Sequence, residues 1–242
     1  MKFGTILWQE CVFFKRKFSS ITIGSIIGPV LYMIAFGWGL GRGMEVEGMD
    51  YMSFVIAGVL AMNTMSSSFS TIANDINISR LYGKTFENFM IAPMNMRTYA
   101  LARIVAGTFR GIYSAVLILL ISIVFRADLR ITPYFILLLL LNCLVFSALG
   151  FIIGIVIKSH GDMAKFNSFV ITPMSFLCGT FFSLEMLPEA VRVVLNILPL
   201  TQTVTGLRQT EFTQASLINI VILIGYFIVF LFIGIRLCKR AE

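Results

Sequence analysis

Catalysis needs a nucleophile beside a base, paired carboxylates or a set of metal ligands, and this chain is short of all three. It has one histidine, His160, in the short segment KSHGDMAK, where a solvated loop residue is expected. Its four cysteines, Cys11, Cys143, Cys178 and Cys238, are far apart, and Cys143 and Cys178 lie inside apolar runs, so neither a disulfide framework nor a zinc site is indicated. The tripeptide Gly83-Lys84-Thr85 resembles the tail of a phosphate-binding loop, but that motif needs a glycine five positions earlier, where Ile78 stands. The acidic residues cluster at the ends of apolar runs with none paired in mid-membrane. An intramembrane hydrolase, a metal-dependent lipid enzyme and a proton-driven carrier are therefore all disfavoured.

What remains are polar groups inside apolar surroundings. The run AMNTMSSSFSTIAND, residues 61–75, contains Asn63, Thr64, Ser66, Ser67, Ser68 and Ser70, too polar to face lipid. It faces either another helix, through small hydroxyl residues that pack closely, or a cavity. Arg110 is a basic residue well inside a span. Burying it costs roughly 2.5–3.5 kcal/mol on insertion scales unless it snorkels or finds a partner, which leaves an interfacial and a substrate-contacting or gating reading.

The elements that must position these groups follow from composition. Of 242 residues, 58% are hydrophobic and only 13% charged, with mean hydropathy +0.91. The core of such a chain is the bilayer, not a soluble interior. The net charge of +7 reads as cytoplasmic loop charge, not nucleic-acid affinity, because no soluble domain is left to bind a nucleic acid. Roughly 20 mainly apolar residues cross a bilayer, and six segments qualify: 21–40, 51–73, 99–125, 131–157, 166–184 and 217–237. An even number puts both termini on one side. Thirteen basic residues fall on that side and five on the other, so both ends are expected in the cytoplasm.

Three amphipathic pieces accompany the spans. In residues 1–20, Phe3, Leu7, Cys11, Phe14 and Phe18 recur at helical spacing and Lys15, Arg16 and Lys17 close the stretch, as in an interfacial helix. The loop 74–98 carries Tyr82, Phe86, Phe89 and Met90 on one face and Arg80, Lys84 and Glu87 on another, with Ser79 as a cap and Pro93 as a stop. Such a helix docks in a partner's groove or folds back on the membrane surface. The third piece lies within 185–216, outside: Val191, Val194, Leu195 and Leu198 against Glu189, Arg192 and Asn196 predict a helix over 188–198. About ten residues reach only about 15 Å, half the hydrocarbon thickness, so it lies on the outer leaflet or re-enters. Four small-xxx-small pairs, Gly24/Gly28, Gly37/Gly41, Gly107/Gly111 and Gly150/Gly154, favour close helix contacts.

The order of these pieces resembles the permease subunits of type-2 ABC exporters. The resemblance runs over nearly the whole chain and is carried by KTFENFMIAP, residues 84–93, and by ITPMSFLCGTFFSLEMLPEAVRVVLNILPLTQTVTGLRQ, residues 171–209, close to the family's Gly-Thr-Phe-Phe…Leu-Pro…Leu-Pro-Leu string. It implies an all-α polytopic protein of six spans, with an N-terminal amphipathic helix and a short re-entrant or outer-leaflet helix before the last span. It further implies a permease without its own catalytic site in a bacterial or archaeal cytoplasmic membrane. That permease would pair with a second copy or a paralogue and with two ABC ATPase subunits, which would bind ATP and Mg, and membrane lipids would surround it.

Under the resemblance Arg80, Lys84, Phe86 and Glu87 belong to an ATPase-coupling helix. The second and fifth spans line the path, with Asn63, Thr64, Ser67, Phe69, Arg110, Thr172 and Phe176 as candidate path residues beside Met62, Met65 and Ser168. Glu185, Pro188 and Glu189 form an outer gate; the two acids depart from a string that is often neutral. The expected cargo is hydrophobic or amphipathic, a drug, lipid or lipid-linked glycan. The alternative is a partner-independent channel or scaffold, supported only by the glycine pairs.

Overall fold

A computed structural model of the chain describes residues 2–41, 43–81, 96–209 and 212–240. Helix α1, Lys2–Arg16, breaks at Lys17 and gives way to α2, Phe18–Tyr32, which widens into a π-helical stretch, Met33–Leu40, beyond the internal Pro29. Proline removes one helical donor, so a change of winding after it is expected. A two-stranded hairpin follows, with Glu45 opposite Asp50 and Val46 opposite Met49. Its turn residues Glu47 and Gly48 both have positive φ, 54° and 74°, as the tightest hairpin turn requires.

The long helix α3, Tyr51–Leu81, is the axis of the fold. Helix α4 is Met96–Val124 and α5 is Pro133–Val156. The start of α5 is set by sequence: Thr132 Oγ1 accepts from the Phe135 N–H at 3.2 Å, and Pro133 takes the first helical position. After α5 come α6, His160–Phe166, a π-helical turn, Asn167–Ile171, and α7, Thr172–Leu177. Then follow α8, Glu189–Ile197, α9, Pro199–Arg208, and α10, Gln214–Arg240.

Helix α3 is 83% buried over its most apolar window, whereas the corresponding windows of α2 and α10 are 17% buried. So α3 sits inside, flanked by α4 and α5, and the outer helices present apolar faces to their surroundings. Close approach to α3 depends on glycine. A Cβ at Gly111 would fall 1.9 Å from Ser68 Oγ, and one at Gly150 would fall 2.6 Å from the Phe69 carbonyl oxygen. Of the four predicted glycine pairs, Gly24/Gly28 lies open: a Cβ at either position would meet nothing within 4 Å.

The fold is an all-α polytopic membrane protein, apart from the small hairpin. Among the described residues five helices are long and apolar enough to cross a membrane, or six with the bent pair α8–α9 taken as one. Several boundaries differ from expectation. Helix α3 continues past 73 to Leu81, so Asn74–Arg80 is helix, and Ser79 Oγ donates to the Ile76 carbonyl at 2.9 Å instead of capping a new helix. The predicted span 166–184 starts earlier and stops at Leu177. The chain turns there through Gly179, φ +81°, and Thr180 Oγ1 donates back to the Ser175 carbonyl at 2.6 Å. Where a helix over 188–198 was expected, α8 runs Glu189–Ile197. The segment after it is a second helix, α9, bent 98° from α8.

Candidate functional site: a polar crevice and its two ends

The residues of α3 that read as one polar run point in two directions, because successive helical residues diverge by about 100°. Asn63, Ser66 and Ser70 line a cavity of about 320 Å³ between α2, α3 and the α6–α7 segment, and Thr172 and Phe176 face it from the other side. Asn63 Nδ2 donates to Ser114 Oγ at 2.5 Å and to the Ser25 carbonyl at 3.3 Å, which fixes its amide at the crevice wall. The π-helical turn serves the site too: the wider winding lets Thr172 Oγ1 donate to the Asn167 carbonyl five residues back, at 3.0 Å. Towards the hairpin end stands an aromatic cluster. Phe181 lies 4.4 Å from Phe36, 5.3 Å from Tyr32 and 5.4 Å from Phe176, ring to ring. Such a cavity offers hydroxyl and amide groups beside aromatic faces and no charge, a lining suited to an uncharged or amphipathic guest.

Of the residues predicted on or beside the path the structure brings Met62, Asn63, Thr172 and Phe176 to this cavity. Thr64 is fully buried on another face, where Asn142 Nδ2 donates to its hydroxyl at 2.9 Å and Thr203 Oγ1 of α9 donates to Asn142 Oδ1 at 3.0 Å. Phe69 is buried against Phe166, with ring centroids 5.7 Å apart. Ser67 Oγ donates to the Arg110 carbonyl at 3.4 Å. Arg110 itself lies under α1, its guanidinium 5.6 Å from the Phe13 ring and 5.4 Å from the Phe14 ring. These four contribute to packing, not to the cavity wall.

At the end where α3 stops and α4 begins, α1 is fastened by charge. Arg103 of α4, almost fully buried, donates to Glu10 Oε1 at 2.6 Å and also pairs with Asp75 of α3. The predicted apolar stripe of α1 is therefore rotated. Ile6 is buried and Glu10 is turned inward, while Cys11 is exposed and Phe3 and Phe18 are 38% and 49% exposed. Burial, and next the Asp75 carboxylate, hold the Glu10 carboxyl above its ordinary range, against the pull of Arg103. Asp75 lies near the end of α3, partly exposed, and its charge is met by Arg103. Arg80, in the last turn of α3, donates to the Ile155 carbonyl. Lys84, Phe86 and Glu87 lie outside the described residues.

At the opposite end Glu185, Pro188 and Glu189 are all exposed. The Ser183 hydroxyl accepts from the Glu185 N–H at 3.3 Å, and the Pro188 carbonyl accepts from the Val191 and Arg192 N–H groups at 3.0 Å each. Sequence reasoning treated Arg208 as one more exterior loop charge. It is a buried residue of α9 whose Nη2 donates to the carbonyls of Gly179, Phe54 and Thr180 at 2.8, 3.1 and 3.2 Å, with its guanidinium 3.3 Å from the Phe54 ring centroid. Only its position at the end of an amphipathic proline-bounded stretch hinted at this.

The family model for ABC-2 type transporters matches residues 1–212. The chain belongs to the ABC-2 type transporter family. It is a membrane-spanning, multi-pass permease subunit of an ABC transporter, and family membership implies ABC ATPase subunits as its partners. It is similar to the inner membrane transport permease YadH of Escherichia coli K12, 25% identical over 92% of this chain and 89% of the relative. It is also similar to nodulation protein J of Rhizobium leguminosarum bv. viciae, 27% identical over 90% of this chain and 84% of the relative. Nodulation protein J of Bradyrhizobium diazoefficiens is likewise 27% identical, over 84% and 79%.

Proposed function

We propose that this permease is the membrane half of an ATP-driven exporter in the cytoplasmic membrane, moving a hydrophobic or amphipathic molecule by alternating access, with both termini cytoplasmic. The observation that carries the reading is the uncharged crevice between α2, α3 and α6–α7, where Asn63, Ser66, Ser70 and Thr172 face Phe176 across about 320 Å³. A second copy, or a paralogue, completes the pathway where the crevice opens along α2, at Gly24 and Gly28, whose added Cβ atoms would meet nothing within 4 Å. Two ATPase subunits bind ATP and Mg and act on the segment holding Lys84, Phe86 and Glu87. Their movement reaches the crevice through α3, which the Arg80 and Arg103 contacts tie to α5, α4 and α1. Glu185, Pro188 and Glu189 stand at the exit. Population shift between inward-open and outward-open states then follows nucleotide binding.

The test is co-reconstitution with the ATPase. Thr172→Trp should fill the crevice and abolish transport across panels of drugs, lipids and lipid-linked glycans while ATPase docking persists, and Glu87→Arg should abolish transport-coupled ATP turnover. Transport that survives Thr172→Trp would rule out the crevice as the path; turnover and transport both unchanged in Glu87→Arg would rule out the coupling role.

A further inference from the structure

A second cavity lies at the hairpin end, away from the crevice. It holds about 260 Å³ and is lined by Asp50, Ser53, Asp128, Arg130, Arg208 and Gln209 among others. Two acids and two arginines surround it, yet among the described residues Asp50, Asp128, Arg130 and Arg208 form no ion pair with one another or with any other group. Arg208 is 8% exposed, and its Nε has no hydrogen-bond partner among the described residues. Neighbouring polar groups are committed elsewhere: the Ser53 hydroxyl accepts from the Asp128 N–H at 3.0 Å, and Asp50 Oδ2 accepts from the Met52 N–H at 3.1 Å. A buried guanidinium and an exposed one share this small cavity with two carboxylates, a lining matched by a guest that carries both signs of charge.

Gln209 also lines a neighbouring pocket of about 460 Å³, formed by Pro133, Tyr134, Leu137, Phe212 and Ile220. The Tyr134 and Phe212 rings meet edge-on at 5.6 Å, and Leu137 and Phe212 are exposed on the apolar flank of the bundle. A charged cavity and an apolar pocket that share a wall have the layout of an amphiphile's head and tail. Lipid reaches that flank directly, because Leu137 belongs to the span α5 and Ile220 to the span α10.

We infer that these two cavities together bind a phospholipid whose head group carries a phosphate and a primary amine, with the phosphate on Arg208 and Arg130, the amine on Asp128 and Asp50, and an acyl chain against Leu137, Phe212 and Ile220. The amine accounts for the carboxylates, which would repel a purely anionic head group. The acyl pocket accounts for a membrane lipid in place of a free phosphate ion.

Native mass spectrometry of the delipidated full chain in detergent, given phosphatidylethanolamine, phosphatidylglycerol or diacylglycerol, tests this. Phosphatidylethanolamine should be retained about tenfold more than phosphatidylglycerol, a difference of about 1.4 kcal/mol, and diacylglycerol should not be retained. Arg130→Gln, Asp128→Asn and Leu137→Trp, all at exposed positions, should each lower its retention several-fold with the thermal midpoint unchanged. Equal retention of the two phospholipids, unchanged retention in Asp128→Asn and Arg130→Gln, or equal competition by water-soluble phosphoethanolamine would each overturn the inference. The assay contains no ATPase, so its outcome is independent of the transport mechanism.

Discussion

Among the described residues two arginines are buried, and each end of the bundle accommodates its charge differently. Arg103 is met by ions: Glu10 from α1 and Asp75 from α3 converge on it and tie three helices together. Arg208 is met by neutral dipoles and a ring, through three backbone carbonyls and Phe54. The first arrangement depends on charged side chains brought together from three helices. The second depends on backbone geometry, because the carbonyls of Gly179 and Thr180 are presented only while the turn after α7 stays folded. The ion-held joint thus lies where α1, α3 and α4 meet, and the carbonyl-held joint at the end of α9 in the bent pair α8–α9.

The largest effect is therefore expected at Arg208. Arg208→Met would leave three carbonyls without their donor and should cost roughly 3–5 kcal/mol, read as a lowered midpoint of denaturant unfolding in detergent. Arg208→Lys should recover little of this, since an ammonium cannot both lie flat on the Phe54 ring and reach three acceptors. Full recovery by lysine would show that charge alone matters there. At Arg103 the response should be smaller and reversible. Arg103→Met strands two carboxylates and should cost about 2 kcal/mol, less than for a fully buried pair because Asp75 is partly exposed. The triple variant Glu10→Gln, Arg103→Met, Asp75→Asn should regain most of that loss. If it is as unstable as Arg103→Met alone, the joint is held by packing and the contrast between the two ends fails.

The same contrast explains what was readable in the sequence. Bilayer thickness demands long apolar runs, so 51–73 and 99–125 stand out; the first falls within α3 and the second matches α4 except for its last residue. The two joints escaped because each hides polarity that is satisfied internally. Helix α9 has the unpromising sequence PLTQTVTGLR, yet nine of its ten residues are buried. Its threonine hydroxyls find acceptors within the fold, with Thr203 Oγ1 donating to Asn142 Oδ1 at 3.0 Å and Thr205 Oγ1 to the Thr201 carbonyl at 2.8 Å. Hydropathy scores those hydroxyls as costs that the fold does not incur. Likewise Asp75 looked like the end of a span, but with Arg103 across from it the helix runs on for six more residues to Leu81. The crevice was half readable: the run 61–75 announced polarity, but which of its residues face the cavity depends on helical phase against α4 and α5. That phase is fixed by the glycines at 111 and 150, not by the run itself.

The smallest effect distinguishes the joints by proton uptake. Glu10 is largely buried beside Asp75, and its carboxyl is held above the ordinary value of 4.5, with Arg103 and Arg110 pulling the other way. Between the ordinary and the raised value the folded chain binds more protons at this site than the unfolded chain does. By linkage the stability contributed by Glu10 is greatest below 4.5, falls as pH rises through the raised value and is level above it. Glu10→Gln should flatten that part of the profile, leaving a midpoint at neutral pH equal to or slightly above that of the parent chain. Thermal unfolding across the window from just below pH 4.5 to pH 7 measures it, with Arg208→Lys as the control. Arg208 is held by carbonyls and a ring and makes no ion pair among the described residues, so that variant should shift the whole curve downward and keep its slope. A slope unchanged by Glu10→Gln, or altered by Arg208→Lys, would show that the ion-held and carbonyl-held ends do not differ in the way their partners imply.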